Sequence, residues 1–408
     1  MTTITIIGAG QSGLQLGIGL LDNGYDVTIV SDRTPEQIAG GKVSSSQCMF
    51  GSSLAREAAL GLDFWAKDCP SVEGIGFAVP GPDGTPAFSW SSRLDLPAQS
   101  VDQRVKMPKF MDEFERRGGT LVIAAADVAA LENYATTSDL VIVAAGKGEI
   151  AKMFARDDAR SVHTAPARAL ALTYVTGMPP REPYSSVAFN LIPGVGEYFV
   201  FPALTTAGPC EIMVMEGIPG GPMDCWGDIS SPAEHLERAK WVVDTFTPWE
   251  SARSAHIELT DANGTLAGRF PPTIRHAVAT LPSGAPVLGM ADVVVLNDPI
   301  TGQGSNNASK CASSYLASIL EHGDAPFDAA FMSETFERYW DYAKYVVDWT
   351  NALLSPPPEH VLALLGGATG DSRIARRFAN GFDDPRDFFN WFMDPALAAS
   401  EYLQPVAS

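Results

Sequence analysis

The sequence predicts an α/β protein with three parts: a parallel β-sheet flanked by helices, a mostly antiparallel β-sheet and a helical C-terminal portion. Three observations support this class. The first 32 residues alternate strand, glycine-rich turn, helix and strand; residues 162–278 hold β-rich segments between Gly/Pro clusters; and aromatic-rich helical stretches follow residue 323. At 408 residues, the chain has the length of two to three domains and can bury a core without disulfide or metal support.

The charge balance and the cysteines narrow the classes of function. Lys plus Arg total 28 and Asp plus Glu total 48, and the resulting net charge of −20 argues against nucleic acid and anionic membranes as partners. No stretch approaches the roughly 20 apolar residues of a membrane span, so we expect a cytoplasmic protein. The five cysteines are widely spaced without a Cys-x-x-Cys pair, so we expect neither a disulfide framework nor a metal site.

The first element is a nucleotide-binding fingerprint. The strand TITII leads into Gly8, Gly10 and Gly13, then an apolar helix, then the strand DVTIV. Gly8 allows the tight turn, Gly10 lets the backbone approach a pyrophosphate, and Gly13 permits close helix packing. The helix begins near Gln11 and Ser12, where its amides can bind the anion. Because strand, turn, helix and strand occur in this order, the glycine pattern predicts a dinucleotide site.

An acid should follow the second strand to hold the adenosine ribose. Asp32 lies 19 residues after Gly13, close to the expected spacing, but Ser31 occupies the end of the strand itself. Either residue can therefore bind the ribose, and Arg33 is a candidate adenine or phosphate contact. Further along, the sequence predicts a helix from about Pro108 that ends at the glycine pair 118–119.

A second nucleotide element lies far from the first, in VLGMADVVVLNDPITGQGSNNAS at 287–309. Asp292 follows a strand, Pro299 lies in the next loop, and Gly302, Gln303 and Gly304 open a helix. After a fingerprint in the same chain, an acid and a glycine-rich helix start are the arrangement of FAD-binding aromatic hydroxylases. The acid can bind the ribitol hydroxyls, and the helix amides can face the electron-rich edge of a reduced flavin.

Across nearly its whole length, the chain resembles the oxygenase component of the two-component styrene and indole monooxygenases, whose fold is similar to para-hydroxybenzoate hydroxylase. The motifs are GAGQSGLQLG, VTIVSDRTPEQ, SVDQR at 100–104 and DPITGQGSNNAS. Arg104 falls where these enzymes place a cationic flavin contact, and Lys42 stands where styrene-type members carry arginine. The resemblance implies a Rossmann-like FAD-binding domain, a β-sheet substrate domain and a helical C-terminal portion.

The predicted domains and FAD contacts follow from the same motifs. We expect a discontinuous FAD-binding domain at 1–45, 100–161 and 279–322, a substrate-binding domain at 46–99 and 162–278, and the C-terminal portion at 323–408. The predicted cofactor-binding residues are Gly8, Gly10, Gln11, Ser12, Gly13, Ser31, Asp32, Arg33, Lys42, Ser44, Ser46, Arg104, Asp292, Pro299, Gly302, Gln303, Gly304, Ser305 and Asn306.

The resemblance also implies the chemistry. Such enzymes receive reduced FAD from a separate NADH-dependent flavin reductase, react it with O2 to a flavin C4a-hydroperoxide, and transfer one oxygen atom to an alkene or sulfide. The protein then contributes no catalytic side chain; it orients the flavin and the small aromatic substrate and excludes water. This agrees with the six scattered histidines and the lack of a readable triad or metal cluster.

The stretch GKVSSSQCMF at 41–50 carries the substrate prediction. Styrene-type members show Asn-x-Val-x-His here and indole-type members Ser-x-Gln-x-Met; three further positions separate the two types. This chain has the indole pattern at all six, namely Ser45, Gln47, Met49, Val72, Ile75 and Ala98. Val72 and Ile75 replace tyrosine and histidine and make an apolar slot, while Ser45 and Gln47 can bond an indole N–H or the flavin. Met49 can pack against an aromatic face.

We therefore predict an FAD-dependent monooxygenase that epoxidises indole at C2=C3, leading to indoxyl and indigo, with styrene epoxidation and aryl sulfoxidation as further activities. The alternatives are a styrene epoxidase or general sulfoxidase, a single-component NADH-dependent aromatic hydroxylase, and a non-catalytic flavin-binding protein. No second fingerprint for NADH is visible, which favours an external reductase. The family also suggests a homodimer.

Overall fold

The computed structural model describes residues 2–146, 149–323 and 325–403, so the predicted C-terminal portion extends past the described residues at 404–408. The strands in this part of the chain are β1 Thr3–Ile7, β2 Asp26–Ser31, β3 Cys48–Met49, β4 Ser71–Pro80, β5 Pro86–Ser100, β6 Thr120–Ile123, β7 Leu140–Val143, β8 Ala169–Thr176, β9 Ser186–Ile192, β10 Gly196–Thr205, β11 Gly208–Gly217, β12 Glu258–Leu259, β13 Thr265–Gly268, β14 Thr273–Ile274, β15 Val278–Thr280, β16 Pro286–Gly289 and β17 Val295–Leu296.

Thirteen α-helices connect and cover these strands in the described residues. They are α1 Gln11–Asp22, α2 Pro35–Ala39, α3 Gly51–Ala59, α4 Gln103–Arg116, α5 Val128–Thr137, α6 Glu149–Lys152, α7 Pro232–Phe246, α8 Ser251–Ser254, α9 Gly304–His322, α10 Ala329–Leu353, α11 Glu359–Gly367, α12 Ser372–Gly381 and α13 Pro395–Glu401. Short 3₁₀ turns occur at Pro248–Glu250, Ala291–Val293, Pro299–Thr301 and Pro385–Asn390. Within the same residues, no helix combines the length and apolar character that a bilayer crossing requires.

The first sheet is the predicted parallel one. Its strand order is β15-β16-β7-β1-β2-β6, and β1 pairs in parallel with β2 on one side and β7 on the other. Isoleucine and valine dominate its central strands because both faces are covered by helices, and all four residues of β7 are buried. The predicted strand, turn, helix and strand of the fingerprint are therefore confirmed.

The second sheet has the order β12-β8-β11-β10-β9-β4-β5-β3, with β13 also pairing with β8. Strands β8 to β11 are antiparallel neighbours, while β4 joins β9 in parallel and returns through a hairpin to β5. Alternate residues of β10 enter different cores: Phe199 packs under the C-terminal helices, and Tyr198 and Val200 pack against α7. Both faces are covered, so β10 is hydrophobic almost throughout.

The aromatic residues of the C-terminal portion form the core above this sheet. The ring of Trp349 stacks on Phe388 at a centroid distance of 4.5 Å and meets Phe382 edge-on at 4.9 Å. Phe378 reaches from α12 to Phe77 on β4, at 6.1 Å. These contacts fix helices α10 to α12 over the sheet, and they leave a cavity described below.

One predicted boundary is wrong. Helix α4 begins at Gln103, five residues before Pro108, because the side chain of Asp102 accepts a hydrogen bond from the backbone N–H of Arg104 at 2.8 Å and caps the helix there. Pro108 lies inside the helix. The SVDQR motif thus forms a helix N-terminus, which determines where Arg104 lies.

Candidate active site

The fingerprint turn tolerates no side chain at two of its glycines. Gly8 has φ +122°, in the region that favours glycine, and a Cβ there would lie 2.8 Å from the backbone nitrogen of Ala145. A Cβ on Gly13 would lie 2.1 Å from the carbonyl oxygen of Gly8. The backbone N–H of Gly8 donates to the carbonyl of Val30 at 2.8 Å, which fastens the turn to β2.

Gly10 has the opposite property, because a Cβ there would meet nothing within 4 Å. It is the N-cap of α1 and supplies no side-chain cap, so the first amides of the helix face the space that Gly10 leaves open. An uncapped helix N-terminus beside open space is a binding place for an anion. The Gln11 side chain turns inward and donates to Glu57 at 2.8 Å, so its contribution to a ligand would come from its backbone amide.

The end of β2 places the two ribose candidates differently. The hydroxyl of Ser31 donates to the carbonyl of Arg33 at 2.7 Å and accepts from the Arg33 N–H at 3.2 Å, so it closes its own turn. The Asp32 side chain is 72% exposed and lies 3.5 Å from the Arg33 guanidinium. Both residues stay candidates, Ser31 at the buried strand end and Asp32 with the more accessible oxygens.

Tertiary structure brings Asp292 to the fingerprint. Strand β16 pairs in parallel with β7, the neighbour of β1, and the chain then turns through Ala291, which has φ +51°. A Cβ on Gly146 would lie 3.1 Å from the Asp292 Cβ, and the residues just before Gly146 flank Gly8. Asp292 is therefore at the same edge of the sheet as the glycine turn, as the prediction for an acid contacting a ribitol requires.

The loop that precedes α9 forms a second open glycine site. The side chain of Asp298 accepts from the Ile300 N–H at 3.2 Å, and Gly302 adopts φ +63°, ψ +21° with its N–H bonded to the carbonyl of Pro299 at 2.7 Å. A Cβ on Gly302 or on Gly304 would meet nothing within 4 Å. Helix α9 starts at Gly304 without a side-chain cap, so a second helix N-terminus opens onto unfilled space.

These features test whether the chain can hold FAD. Helices α1 and α9 pack against each other, and both have N-termini without a side-chain cap. A glycine with open space beside it, Gly10 as the N-cap of α1 and Gly304 as the first residue of α9, stands at each of these N-termini. The N-terminus of α1 is suited to a pyrophosphate, and that of α9 is suited to the electron-rich edge of a flavin ring. The residues present therefore fit FAD.

Three predicted contacts near α9 have different surroundings. Gln303 is buried and donates to the carbonyl of Phe382 at 2.9 Å, so its side chain holds the C-terminal helices, whereas Ser305 is half-buried. The Asn306 side chain accepts from the Phe50 N–H at 2.9 Å and donates to the Cys48 carbonyl at 2.8 Å. Asn306 therefore ties the stretch 48–50 to α9, whereas Gln303 Oε1 is buried and has no hydrogen-bond partner among the described residues.

The predicted cationic contact, Arg104, is fully engaged by protein groups. Its Nε donates to Asp102 at 2.9 Å, its two terminal nitrogens form a bidentate pair with Asp261 at 3.0 Å each, and Nη2 also donates to Thr205 at 3.0 Å. The side chain is 4% exposed. In the adjacent loop the side chains of Lys42 and Ser44 are exposed and that of Ser46 is half-buried.

A closed hydrogen-bonded ring joins Ser45 and Gln47 to a third residue, Tyr174 on β8. The Ser45 hydroxyl donates to Gln47 Oε1 at 2.7 Å, Gln47 Nε2 donates to the Tyr174 hydroxyl at 2.9 Å, and that hydroxyl donates to the Ser45 carbonyl at 2.7 Å. Gln47 adopts φ +31°, unusual for a residue other than glycine. The ring fixes the loop, and sequence reasoning missed Tyr174 because it lies about 130 residues away.

The other predicted pocket residues divide between two faces of the second sheet. Val72 and Ala98 are cross-strand partners on β4 and β5, and they share a buried core with Ile75 and Tyr174. Met49 pairs with Gln99, the neighbour of Ala98, so it lies on the opposite face. Its sulfur is 2.9 Å from the ammonium of Lys106, which also pairs with the buried Glu57. The structure thus brings Val72, Ile75 and Ala98 together and places Met49 apart from them.

Buried carboxyl groups lie behind the Pro299–Thr301 turn, and no sequence pattern indicated them. Glu197 and Glu216 are cross-strand partners on β10 and β11, and Arg168 holds Glu197 through two bonds of 2.7 and 2.9 Å. Burial raises the pKa of Glu216 well above 4.5, and the negative charges of Asp298 and Glu197 raise it further. Burial also raises the pKa of Asp298. Burial therefore favours the protonated form of both carboxyl groups relative to exposed ones, and Asp298 is also the residue that caps the turn.

The chain is similar to known proteins over most of its length. Residues 146–253 match the family described as the styrene monooxygenase A putative substrate binding domain. The styrene monooxygenase StyA of a Pseudomonas species is 29% identical over 402 residues, which cover 96% of this chain and 95% of that protein. The StyA of Pseudomonas fluorescens is 28% identical over the same shares.

Solved structures show the fold. The flavin-dependent brominase Bmp2 superposes with a TM-score of 0.64 at 14% identity, covering 99% of this chain and all of that one. The Pseudomonas aeruginosa protein PqsL, in complex with 2-aminobenzoylacetate, gives 0.62 at 13% identity over 92% of this chain and 98% of its own. The oxygenase acting on 2-methyl-3-hydroxypyridine-5-carboxylic acid gives 0.58 at 15% identity over 92% and 93%. The predicted α/β flavoprotein fold of the para-hydroxybenzoate hydroxylase type is confirmed.

Proposed function

We propose that this protein is the oxygenase component of a two-component system that epoxidises indole at C2=C3. Its sequence similarity to the styrene monooxygenases StyA, which extends over nearly the whole chain, supports a flavin-dependent monooxygenase. The observation that carries the choice of indole is the Ser45–Gln47–Tyr174 ring.

The direction of each proton in the ring is forced. The Tyr174 hydroxyl has one proton and gives it to the Ser45 carbonyl, so it can only accept from Gln47, and the Gln47 amide must present its nitrogen to it. Gln47 Oε1 then faces Ser45 and takes the proton of that hydroxyl. The Ser45 oxygen is left with its lone pairs, so it can accept a hydrogen bond from a donor. Indole offers an N–H and styrene offers none.

The walls near this acceptor suit an apolar aromatic ring. Val72, Ile75 and Ala98 are fully buried and carry no polar side-chain atoms. Such walls exclude water, which matters because reduced FAD, once bound, supplies the activation of O2 and that chemistry is lost to water in an open site. The chain's own part is to bind FAD at the two helix N-termini, orient the substrate and keep the site dry.

The proposed source of the electrons rests on the number of nucleotide sites that the two glycine-rich elements form. The fingerprint at Gly8–Gly13 and the element at Asp292–Gly304 converge on one sheet edge, which accounts for one FAD. A separate NADH-dependent flavin reductase is therefore the proposed partner, with reduced FAD as the shared cofactor and O2 as co-substrate. A homodimer, which the resemblance suggests, and a cytoplasmic location, which the sequence predicts, remain part of the proposal.

The test combines the purified chain with FAD, NADH, O2 and indole, with and without a flavin reductase. We expect indole oxidation, seen as indigo, under two conditions: when the reductase is present, and when photochemically reduced FAD replaces NADH and reductase. Without either, we expect none. Indole-dependent NADH consumption by the isolated chain would support the single-component hydroxylase instead. Failure to oxidise any aromatic alkene or sulfide under both regimes contradicts the oxygenase proposal.

A styrene epoxidase is the second candidate, because the names of the two relatives give styrene and the Val72–Ile75–Ala98 wall would hold a phenyl ring equally well. Side-by-side kcat/KM values for indole and styrene at saturating reduced FAD separate the two candidates. A preference for styrene favours the second.

A further inference from the structure

A cavity of about 80 Å³ lies between the second sheet and the C-terminal helices. Its sheet side includes Phe77 and Phe189, and its helix side includes Val361 and Phe378. One water needs about 10–15 Å³ of such space, so the cavity is several times larger. Four of its lining side chains are phenylalanines, which give flat apolar walls suited to an aromatic ring.

The polar groups along this cavity are already paired. Glu197 lines it, but both carboxylate oxygens are bonded to Arg168 at 2.7 and 2.9 Å. His360 also lines it and is bonded through Nε2 to the carbonyl of Phe392 at 3.1 Å. Because Glu197 and His360 are already hydrogen-bonded to protein groups, neither needs a ligand or a water molecule as a partner. The cavity therefore favours a neutral apolar ligand.

The residues that line the cavity extend from the protein surface to the turn that leads to α9. At its outer end Ser355 and Pro358, in the α10–α11 connection, are exposed. At its inner end stands Ile300, buried, between the Pro299 and Thr301 of the turn that leads to α9. Phe77 also lines the cavity, lies two residues after Ile75 on β4 and shares its core, so the cavity adjoins the predicted substrate slot.

We propose that this cavity is the access and holding site for the neutral aromatic substrate, which enters between α10 and α11 and reaches the flavin side past Ile300. The proposal rests on the proposed function, since it names the path to the same site. It assigns a specificity role to the α11 face that carries Val361, which no sequence motif indicated.

The first test fills the cavity from α11. Val361→Trp places a large ring inside, and Leu362→Trp is the matched control because the next residue of the helix is 42% exposed. With reduced FAD saturating, we expect KM for indole to rise about tenfold in Val361→Trp. The oxidation of reduced FAD by O2 without substrate should stay at the wild-type rate in both variants. An unchanged KM in folded Val361→Trp overturns the proposal, and so does a selective loss of FAD oxidation.

The second test does not depend on turnover. Crystals of the wild-type protein soaked with 5-bromoindole should show anomalous bromine density between Phe189 and Phe378, and crystals of Ala352→Phe, which fills the cavity from the end of α10, should not. Bromine located elsewhere in both overturns the proposal. Lack of indole oxidation by wild-type protein with reductase would instead refute the proposed function, so the two failures are distinguishable.

Discussion

The side-chain oxygen of Asn306 accepts a hydrogen bond from the backbone N–H of Phe50 at 2.9 Å, across 256 positions of sequence. The same amide group donates to the Cys48 carbonyl at 2.8 Å. Asn306 thus bonds one edge of the stretch 48–50 while β5 pairs with the other. The stretch 48–50 and the first turn of α9 are therefore held together. Asn306, which the sequence predicts as a direct FAD contact, positions these two segments relative to each other.

Replacing Asn306 by alanine should separate these two parts. Asn306→Ala leaves the buried N–H of Phe50 and the carbonyl of Cys48 unpaired, so we expect a loss of about 1–3 kcal/mol in the free energy of unfolding and weaker binding of reduced FAD. Denaturant unfolding and a fluorescence titration measure the two effects. The control, Ser313→Ala, removes a bond within α9 at 3.1 Å and should leave FAD binding unchanged. Wild-type FAD affinity in Asn306→Ala would contradict the positioning role.

Gly304→Ala should separate stability from cofactor affinity. A Cβ at Gly304 meets no protein atom within 4 Å, and alanine is a better helix former, so stability should be unchanged or rise by up to about 1 kcal/mol. If the flavin occupies that space, the affinity for reduced FAD should fall. Gly366→Ala on α11 is the control, because it is equally unobstructed but outside the site, and it should change only stability. Equal FAD affinity in both variants would indicate that the flavin does not bind at the N-terminus of α9.

The acceptor at Ser45 should set the preference for indole. Ser45→Ala removes one hydrogen bond to the substrate N–H, worth about 0.5–1.5 kcal/mol, so the indole-to-styrene ratio of kcat/KM should fall roughly two- to tenfold. Tyr174→Phe should act in the same direction by freeing Gln47. Tyr198→Phe is the matched control, since its buried hydroxyl has no hydrogen-bond partner among the described residues. The ratio staying at its wild-type value in Ser45→Ala would refute the indole assignment by this ring.

Glu216 should make stability depend on pH. Burial raises its pKa above 4.5, so the folded state holds a proton that the unfolded state releases, and stability falls as pH rises from about 4.5 towards the folded-state pKa. Asp298, Glu197 and Arg168 surround it. Glu216→Gln keeps the shape and polarity of the side chain without the titration, so its melting temperature relative to wild type should increase between pH 5 and 8. Parallel melting curves would contradict this, and exposed Glu237→Gln, as control, should give them.

Local sequence determined the elements whose chemistry is local. The turn at Gly8 needs positive φ, the contact at Gly13 excludes a Cβ, and the glycines at Gly302 and Gly304 open a helix. Each of these features depends on neighbours within a few residues, so the glycine pattern predicted both halves of the candidate nucleotide site. The α/β class followed for the same reason, because strand and helix periodicities are read over short windows. The start of α4 differs from the prediction because Asp102 caps the helix before Gln103, while Pro108, a residue typical of a first helical turn, lies inside it.

Only the tertiary structure decided which side chains face the site. Ser45 and Gln47 are oriented by Tyr174, the stretch at Phe50 is held by Asn306, and Glu197 on β10 is held by Arg168. Each pair is separated by tens to hundreds of residues, and a hydrogen bond between them exists only when sheet register and helix packing bring the atoms to about 3 Å. Met49 shows the same limit: a one-residue step along a strand moves a side chain to the opposite face, so a motif can name a position without fixing the direction in which it points.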